Sequence, residues 1–407
     1  MAAQDAPKVT NGHGNGNGNG NGNGLIRFLF ENSLFLIGGA IAALVWANYD
    51  GESYHHFIHH IVALPDSAHP VTIHYLVNDV LMALFFAIAA KEVWESLLPG
   101  GALANPKKAA TPLMATLGGV AMPALLYLGG AYALGRMDDL GSGWAVPCAT
   151  DIAFSYLIAR LIFGDGHPAI PFLLLLAIAD DAAGLVILAI FYPQQPLQPE
   201  WLLLTVAAIG TGFALRGFGV RSFWYYLLIP GVMSWFSFHK AGIHAALGLV
   251  PIIPTLPHAH TDLGFFGRGE RSRHDTLNEF EHWWDQPVEI ILGLFGLVNA
   301  GVAFGNVGAA TGLVLLGLII GKPLGIYMFT WIATRLFKLQ MPEGVQDKHI
   351  VTLGVVAGIG FTVALFVTTA AFKEPGLIQD AAKMGALGSF ASAFLAFPSR
   401  GCWAYSG

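Results

Sequence analysis

The amino-acid sequence predicts an all-α polytopic membrane protein with about twelve transmembrane helices. Charged residues make up 11% of the 407 positions, whereas a soluble domain carries about 25%. Apolar types contribute 55% of the chain, and its mean hydropathy is +0.58. Apolar stretches recur too densely for a water-facing surface to cover them. The composition therefore excludes a cytosolic protein and a disordered one.

Each predicted span is a largely apolar run close to the length that crosses the hydrocarbon core, which is about 20 residues. The candidates lie near 27–48, 76–98, 110–134, 144–163, 168–191, 200–216, 222–237, 241–254, 286–305, 309–335, 350–372 and 378–399. The longest polar interruption between them runs from Pro254 to Gln286. An even number of spans places both termini on the same side of the membrane.

Basic residues indicate which side that is. Of the 20 Lys and Arg residues, fifteen fall on the side of the termini, four on the other side, and Lys322 remains inside a span. Such an excess marks the cytoplasmic face. Residues 1–24 are rich in Asn-Gly repeats and lack the apolar stretch of a signal peptide. They predict a disordered cytoplasmic tail, followed by a membrane domain over 25–399 and a short cytoplasmic tail over 400–407.

Net charge and cysteine content exclude several other classes of site. The formal net charge of −6 shows no basic excess for nucleic acid. Cys148 and Cys402 are far apart in sequence, which argues against a disulfide framework or a cysteine metal site. We predict no cofactor, and we expect membrane lipid as the surrounding partner.

Four charged residues remain inside the predicted spans. Asp151 lies in the fourth span, Asp180 and Asp181 in the fifth, and Lys322 in the tenth. Each such charge costs about 2.5–3.5 kcal/mol at the centre of a bilayer. One explanation is that these charges pair with one another to hold helices together. Three carboxylates exceed one ammonium, however, and apolar residues would pack at these positions without that cost. The excess favours a site for a cation.

The adjacent aspartates of the fifth span need not share one role. Neighbouring helical residues point about 100° apart, so one carboxylate is free to meet a fixed partner while the other faces a water-filled cavity. Burial and neighbouring negative charge favour the protonated form of a carboxylate. A proton therefore competes there with a small hard cation such as Na⁺ or Li⁺, because hard cations prefer oxygen ligands.

Two spans contain helix breakers in mid-membrane. Pro147 precedes Thr150 and Asp151 in the fourth span, and a Gly-Ile-Gly-Phe-Thr stretch at 358–362 interrupts the eleventh. A pair of glycines in a span more often reflects close helix packing. Here both breaks lie second in a triplet of spans, 3–5 and 10–12. Matched breaks of this kind indicate inverted repeats around the binding site of a transporter.

Seven segments, taken together and in order, carry a family resemblance. They are Val77–Phe86, Trp144–Phe154, Ala179–Asp181, Ala241–Leu247, Gly321–Gly325, Pro342–Gly344 and Gly358–Thr362. With these segments the chain resembles the NhaA-type sodium/proton antiporter family over about residues 25–399. The resemblance implies exchange of cytoplasmic Na⁺ or Li⁺ for external H⁺ across the cell inner membrane. It also implies electrogenic, pH-regulated transport in a homodimer.

The same resemblance implies roles for individual residues. Asp181 is the expected principal ligand for Na⁺ and for the proton, and Asp180 is the neighbouring carboxylate that pairs with Lys322. Thr150 and Asp151 are expected where the two broken helices cross. Asp79 is expected to support activity. The pH response is assigned to Glu92, His244 and Glu281. The break of the eleventh span is assigned to Gly358, Gly360 and Thr362.

Two departures from the family pattern affect the expected pH response. Family members usually have an apolar residue at the position of Lys91 and basic residues at those of Trp94 and Glu95. The segment after Glu281 is one residue longer than usual. Both changes lie in the region to which the resemblance assigns pH sensing.

The segment after the first span also departs from the family. Relatives often carry a β-hairpin there that forms the dimer. Residues 49–72 contain His55, His56, His59 and His60 instead of a clear hairpin, which weakens the expectation of a homodimer. Spacing of i, i+4 pairs these histidines on a helix and is compatible with Zn²⁺. Without an organising carboxylate, the pattern favours a solvated surface.

Two other functions fit parts of the pattern. A Na⁺-coupled symporter of a small organic solute would need a cavity lined by solute-specific side chains, and the sequence offers no obvious set. An intramembrane aspartyl protease needs two carboxylates that converge from different helices. Asp180 and Asp181 are adjacent and diverge, and a lysine lies in a span. The sequence therefore favours a transporter over an enzyme.

Overall fold

The computed structural model describes residues 34–63, 70–164, 166–258, 275–341 and 344–396, and this part of the chain is mainly helical. The predicted tails, 1–24 and 400–407, lie outside the described residues. The first elements are α1 (Leu34–Tyr49), α2 (Gly51–Ile58), β1 (Ile61–Ala63), β2 (Val71–Thr72), α3 (Ile73–Leu97), α4 (Pro106–Ala133), α5 (Met137–Cys148), α6 (Ile152–Phe163) and α7 (Ala169–Phe191).

The remaining elements follow from residue 202. They are α8 (Leu202–Gly217), α9 (residues 223–241), α10 (Ala245–Thr255), α11 (Thr276–Asn299), α12 (Ala309–Arg335), α13 (Asp347–Ala357), α14 (Phe361–Ala371), α15 (Leu377–Gly388) and α16 (Ala391–Ala396). Three of them contain a π-helical turn, at Leu76–Leu81, Leu227–Gly231 and Leu316–Gly321. Turns of this type are frequent at functional sites.

Four described helices are long and apolar enough to cross a membrane: α3, α4, α7 and α12. Two bent pairs, α5–α6 and α13–α14, raise this number to six if each pair forms one span. Helices α1 and α10 are shorter apolar segments. The count of twelve spans and the inverted repeats stay predictions.

Both bends fall where the sequence predicts helix breaks. The axes of α5 and α6 meet at 51°, and those of α13 and α14 also meet at 51°. Residues 149–151 separate the first pair and residues 358–360 the second. Gly358 permits the close approach at the second break, because a Cβ there would lie 2.5 Å from the Leu318 carbonyl oxygen.

A glycine contact sets the distance between α4 and α12. A Cβ added to Gly118 on α4 would lie 2.2 Å from the carbonyl oxygen of Gly325 on α12, and a Cβ at Gly325 would lie 2.0 Å from the Gly118 oxygen. The absence of both side chains lets the two backbones touch. Lys322, one turn before Gly325, is thereby fully buried at this interface.

The helix that carries Glu281 begins earlier than predicted. The sequence places its span at 286–305, after a polar interruption, but α11 starts at Thr276. Asp275 caps this end, since its carboxylate accepts a hydrogen bond of 2.8 Å from the Asn278 backbone N–H. Hydropathy alone missed these first turns because they are polar.

A β-hairpin is present after α2, which corrects the expectation that this segment lacks one. Strands β1 and β2 pair antiparallel, with Ile61 opposite Thr72 and Ala63 opposite Val71. Branched residues at 61, 62, 71 and 72 favour an extended backbone. The four histidines obscured this pattern because they lie just before β1, on α2 and in the residues that follow it.

We expect Gly118→Ala to destabilise the protein, because the new methyl group would collide with the Gly325 carbonyl and with Phe329. Overpacking of this kind costs about 1–3 kcal/mol. Gly129→Ala on the same helix is the matched control, since a Cβ there meets nothing within 4 Å. Thermal unfolding in detergent is the measurement. Equal melting temperatures for the two variants would contradict the proposed backbone contact.

Candidate functional site

One buried carboxylate joins the two helix breaks. The backbone N–H of Asp151 donates to the carbonyl of Ile359 at 2.7 Å. Its side chain accepts hydrogen bonds from the N–H of Phe154 at 3.3 Å and from the N–H of Thr362 at 3.2 Å, and also from the Thr362 hydroxyl. Asp151 therefore lies at the N-terminal ends of α6 and α14, where backbone dipoles favour negative charge.

The carbonyl groups at the breaks have partners as well. The Thr150 hydroxyl donates to the carbonyl of Ala357 at 3.2 Å, and the Ser155 hydroxyl donates to that of Val356 at 3.1 Å. Unpaired carbonyls in an apolar medium are costly, so these hydroxyls make the break at the end of α13 tolerable. Asp151 thus meets the stretch 358–362, and Thr150 meets Ala357 directly before it.

Lys322 and Asp180 form a buried ion pair. The Lys322 ammonium lies 2.9 Å from the Asp180 carboxylate and 2.5 Å from the carbonyl oxygen of Cys148, the last residue of α5. Lys322 is 0% and Asp180 3% exposed. The ammonium therefore faces both a carboxylate and the negative end of a helix. The π-helical turn of α12 ends immediately before Lys322.

Asp181 differs from its neighbour in having no such partner. Its side chain is half-buried, and among the described residues none forms a hydrogen bond or ion pair with its carboxylate. Asp180, Glu92 and Asp151 act on it with like charge, and Lys322 with opposite charge. The divergence of adjacent helical residues explains the difference. Of the two adjacent carboxylates, Asp180 therefore has a fixed partner and Asp181 has none among the described residues.

Asp79 and His244 lie together at a second position. Asp79 is in the π-helical turn of α3, and its carboxylate is 3.6 Å from the Nδ1 of buried His244. The Trp235 indole N–H donates to the Asp79 backbone carbonyl at 2.8 Å. The structure thus groups His244 with Asp79 and separates it from the two glutamates to which the resemblance assigns the same role.

Those glutamates meet near the opposite end of α3. Lys91, 1% exposed, lies 2.6 Å from Glu95 and forms an ion pair with Glu281 on α11. Glu92 is half-buried and within electrostatic range of Glu281. The sequence did not assign Lys91 a partner, although its i, i+4 spacing with Glu95 was the available signal. This cluster links α3 to α11 by charge.

Carboxylate oxygens, such as those of Asp180 and Asp181, suit small hard cations better than soft transition metals. Across the described parts of the chain, no group of three or more His, Cys, Asp or Glu residues is arranged to hold a metal ion. Among the histidines of α2 and the turn after it, the rings of His55 and His59 stack 4.2 Å apart, whereas those of His56 and His60 are tilted, 6.3 Å apart.

Known proteins share this sequence and this fold. A model of the family described as Na⁺/H⁺ antiporter 1 matches residues 26–398. A Na⁺/H⁺ antiporter NhaA of Jannaschia sp. (strain CCS1) is 54% identical over 399 residues, covering 90% of this chain and 94% of the relative. A Na⁺/H⁺ antiporter NhaA of Desulfitobacterium hafniense (strain DSM 10664 / DCB-2) is 48% identical over 375 residues, covering 91% and 94%.

A solved structure supports the fold. The sodium proton antiporter MjNhaP1 from Methanocaldococcus jannaschii aligns with a TM-score of 0.50 over 94% of this chain and 95% of its own. Its sequence identity is 12%, so this likeness concerns the fold alone.

We expect Thr362→Val to destabilise the crossing of the two breaks, because it removes a hydroxyl that donates to the Asp151 carboxylate. A hydrogen bond to a charged group contributes about 1.5–3 kcal/mol. Thr368→Val is the matched control on α14, since that buried hydroxyl donates to a neutral carbonyl, that of Ala364. Melting temperatures in detergent compare the two. A larger loss for Thr368→Val would refute this account of Asp151.

Proposed function

The chain belongs to the Na⁺/H⁺ antiporter 1 family, and from this membership we propose that it exchanges cytoplasmic Na⁺ or Li⁺ for external H⁺. The observation that carries the proposal is the half-buried carboxylate of Asp181, without a partner among the described residues, beside the buried Asp180–Lys322 pair. One carboxylate that binds either a proton or a cation is sufficient for obligatory competition between the two. Membership of an antiporter family supports this function over Na⁺-coupled symport of an organic solute.

The chain is a multi-pass membrane protein. We place it in the cell inner membrane with both termini cytoplasmic, because fifteen of its 20 basic residues fall on that side. The equal 51° bends of α5–α6 and α13–α14 support inverted repeats. The twelve spans rest on the hydropathy of the sequence. The β1–β2 hairpin supports a homodimer, since an exposed strand edge offers unpaired backbone groups to a second chain.

Exchange follows from competition at Asp181. When Na⁺ arrives from the cytoplasmic side, the carboxylate releases its proton and coordinates the ion. Asp180 and Thr150 are the candidates for additional oxygen ligands. On the opposite side a proton displaces Na⁺ and restores the neutral carboxyl group. Asp151 keeps both half-helices in place during this cycle because it caps their N-termini.

A second proton enters the scheme through Lys322. If the Asp180–Lys322 pair exchanges a proton when Asp181 loads a cation, two protons move for each Na⁺. The alternative is a permanent ion pair and one-for-one exchange. The pair is fully buried, with 2.9 Å between the Lys322 ammonium and the Asp180 carboxylate. We favour the first scheme and electrogenic transport, as the resemblance implies. In either scheme, the exchange rate or its pH response depends on further residues, which are Asp79, Glu92, Glu281 and His244.

Asp181→Asn should abolish exchange, because an amide neither releases a proton nor carries the charge that holds Na⁺. Vesicles with a preformed pH gradient report the loss when added Na⁺ no longer dissipates the gradient. Asp139→Asn is the control, since that carboxylate lies on the surface, 57% exposed, with Arg136 as its partner. Wild-type exchange by Asp181→Asn in correctly inserted protein would place the site elsewhere.

Electrogenic exchange predicts a response to membrane potential. If two protons enter for each Na⁺ that leaves, positive charge moves inward, so an inside-negative potential should drive Na⁺ out in the absence of a pH gradient. Proteoliposomes with a K⁺ diffusion potential and ²²Na⁺ provide the measurement. Na⁺ efflux that ignores the potential would show that Lys322 is a permanent structural partner of Asp180.

A further inference from the structure

Two buried amides face each other next to Asp79. The Nδ2 of Asn78 donates to the Oδ1 of Asn299 at 3.0 Å, and the Nδ2 of Asn299 donates to the Oδ1 of Asn78 at 2.8 Å. Asn78 is 3% and Asn299 0% exposed. The pair joins the π-helical turn of α3 to the last residue of α11.

Surrounding groups fix the orientation of both amides. Asn299 also donates to the backbone carbonyl of Phe295 at 3.0 Å, and a carbonyl only accepts. The side-chain atom of Asn299 that faces Phe295 is therefore the nitrogen. The atom of Asn78 that faces this nitrogen must then be the oxygen. The nitrogen of Asn78 then donates to Asn299 and to the Nε2 of His74, which lies 3.1 Å away. Flipping either amide would set donor against donor.

The α11 side of the pair is anchored from α1 and α2. The Tyr54 hydroxyl lies 2.9 Å from the carbonyls of both Leu297 and Val298. Asn48 donates to the carbonyl of Val302 at 2.9 Å and accepts from the N–H of Phe304 at 2.8 Å. Asn299 is therefore a fixed point against which a neighbouring helix can be held.

The α3 side of the pair carries a different constraint. Asp79 follows Asn78 directly within the π-helical turn, and the Trp235 indole holds its backbone carbonyl. The carboxylate itself makes no hydrogen bond to His244, since 3.6 Å separates the two side chains. Its direction therefore depends on how the turn is held and not on a bond of its own.

A purely structural role for the amide pair is a weak explanation. Leucines of similar volume would fill the α3–α11 contact without burying four polar atoms, and side-chain hydrogen bonds between membrane helices contribute little, about 0.6 kcal/mol on average. We propose that Asn78 and Asn299 are positioning residues for transport: they hold the turn of α3 so that the Asp79 carboxylate faces His244. The proposal rests on the function proposed above.

The test combines a transport assay with a direct probe of position 79. Asn299→Ser is the preferred variant, because a helical serine still bonds to the carbonyl four residues earlier but cannot reach Asn78. We expect it to lower the Na⁺/H⁺ exchange rate in proteoliposomes about tenfold, as an unpaired buried amide would. Exchange is measured per folded protein, so that lower yield does not count as lost transport.

The probe of position 79 works without transport. In a chain carrying Cys148→Ser and Cys402→Ser, the thiol introduced by Asp79→Cys is reacted with a water-soluble methanethiosulfonate from outside. Adding Asn299→Ser should slow this labelling by about tenfold, as loss of the amide bonds lets the turn rotate. Ser237→Ala is the matched control, since it breaks a buried side-chain pair with Thr205, 2.7 Å, that includes neither Asn78 nor Asn299. It should change neither exchange nor labelling.

The outcomes separate this proposal from the proposed function. Loss of exchange with unchanged labelling would overturn the positioning role, and so would unchanged exchange, whatever the labelling rate. An equal loss of exchange and labelling for Ser237→Ala would also overturn it. If the wild-type chain fails to exchange Na⁺ for H⁺ while Asn299→Ser still slows labelling, the proposed function fails and the geometric constraint on Asp79 stands.

Discussion

The fold of the site depends on one carboxylate that caps two helices. A broken helix in a membrane exposes backbone N–H groups that water cannot reach, and such groups are costly when they lack a partner. The Asp151 carboxylate supplies a partner for both α6 and α14, since it accepts hydrogen bonds from the backbone N–H groups of Phe154 and Thr362. The break between α13 and α14 depends on the other bent pair, because the cap of α14 comes from Asp151. The crossing is therefore a joint property of both bent pairs.

Charge compensation around this crossing leaves one group over. Lys322 faces Asp180 and the carbonyl end of α5, so its charge is matched on two sides. Asp151 is matched by helix dipoles. Three carboxylates repel negative charge on Asp181, and Lys322 attracts it without forming an ion pair with it. The arrangement thus separates Asp151 and Asp180, which have fixed partners, from Asp181, which has none among the described residues.

The sequence predicts the spans, both breaks and the charges inside the spans because hydropathy, helix breakers and uncompensated charge each have a strong local signal. The choice of Asp180 as the partner of Lys322 came from the family resemblance. Three features escaped prediction for physical reasons. The start of α11 is polar and therefore outside any hydropathy window. The hairpin pairs short strands across residues 64–69, and the histidines before it dominate the local pattern. The pairing of Lys91 with Glu281 joins residues 190 positions apart, and only the folded chain reveals it.

The glycine contact between α4 and α12 limits how the site can open to alternate sides. With backbone touching backbone at Gly118 and Gly325, the two helices have no layer of side chains to slide over, and interlocked surfaces resist shear. The rigid ring of Pro147 on α5 packs closely against Gly317 of α12, where an added Cβ would lie 2.5 Å from the proline Cβ. Lys322 and the first break therefore travel together as a rigid unit. Any hinge must lie at the border of this unit, where side chains rather than backbones meet.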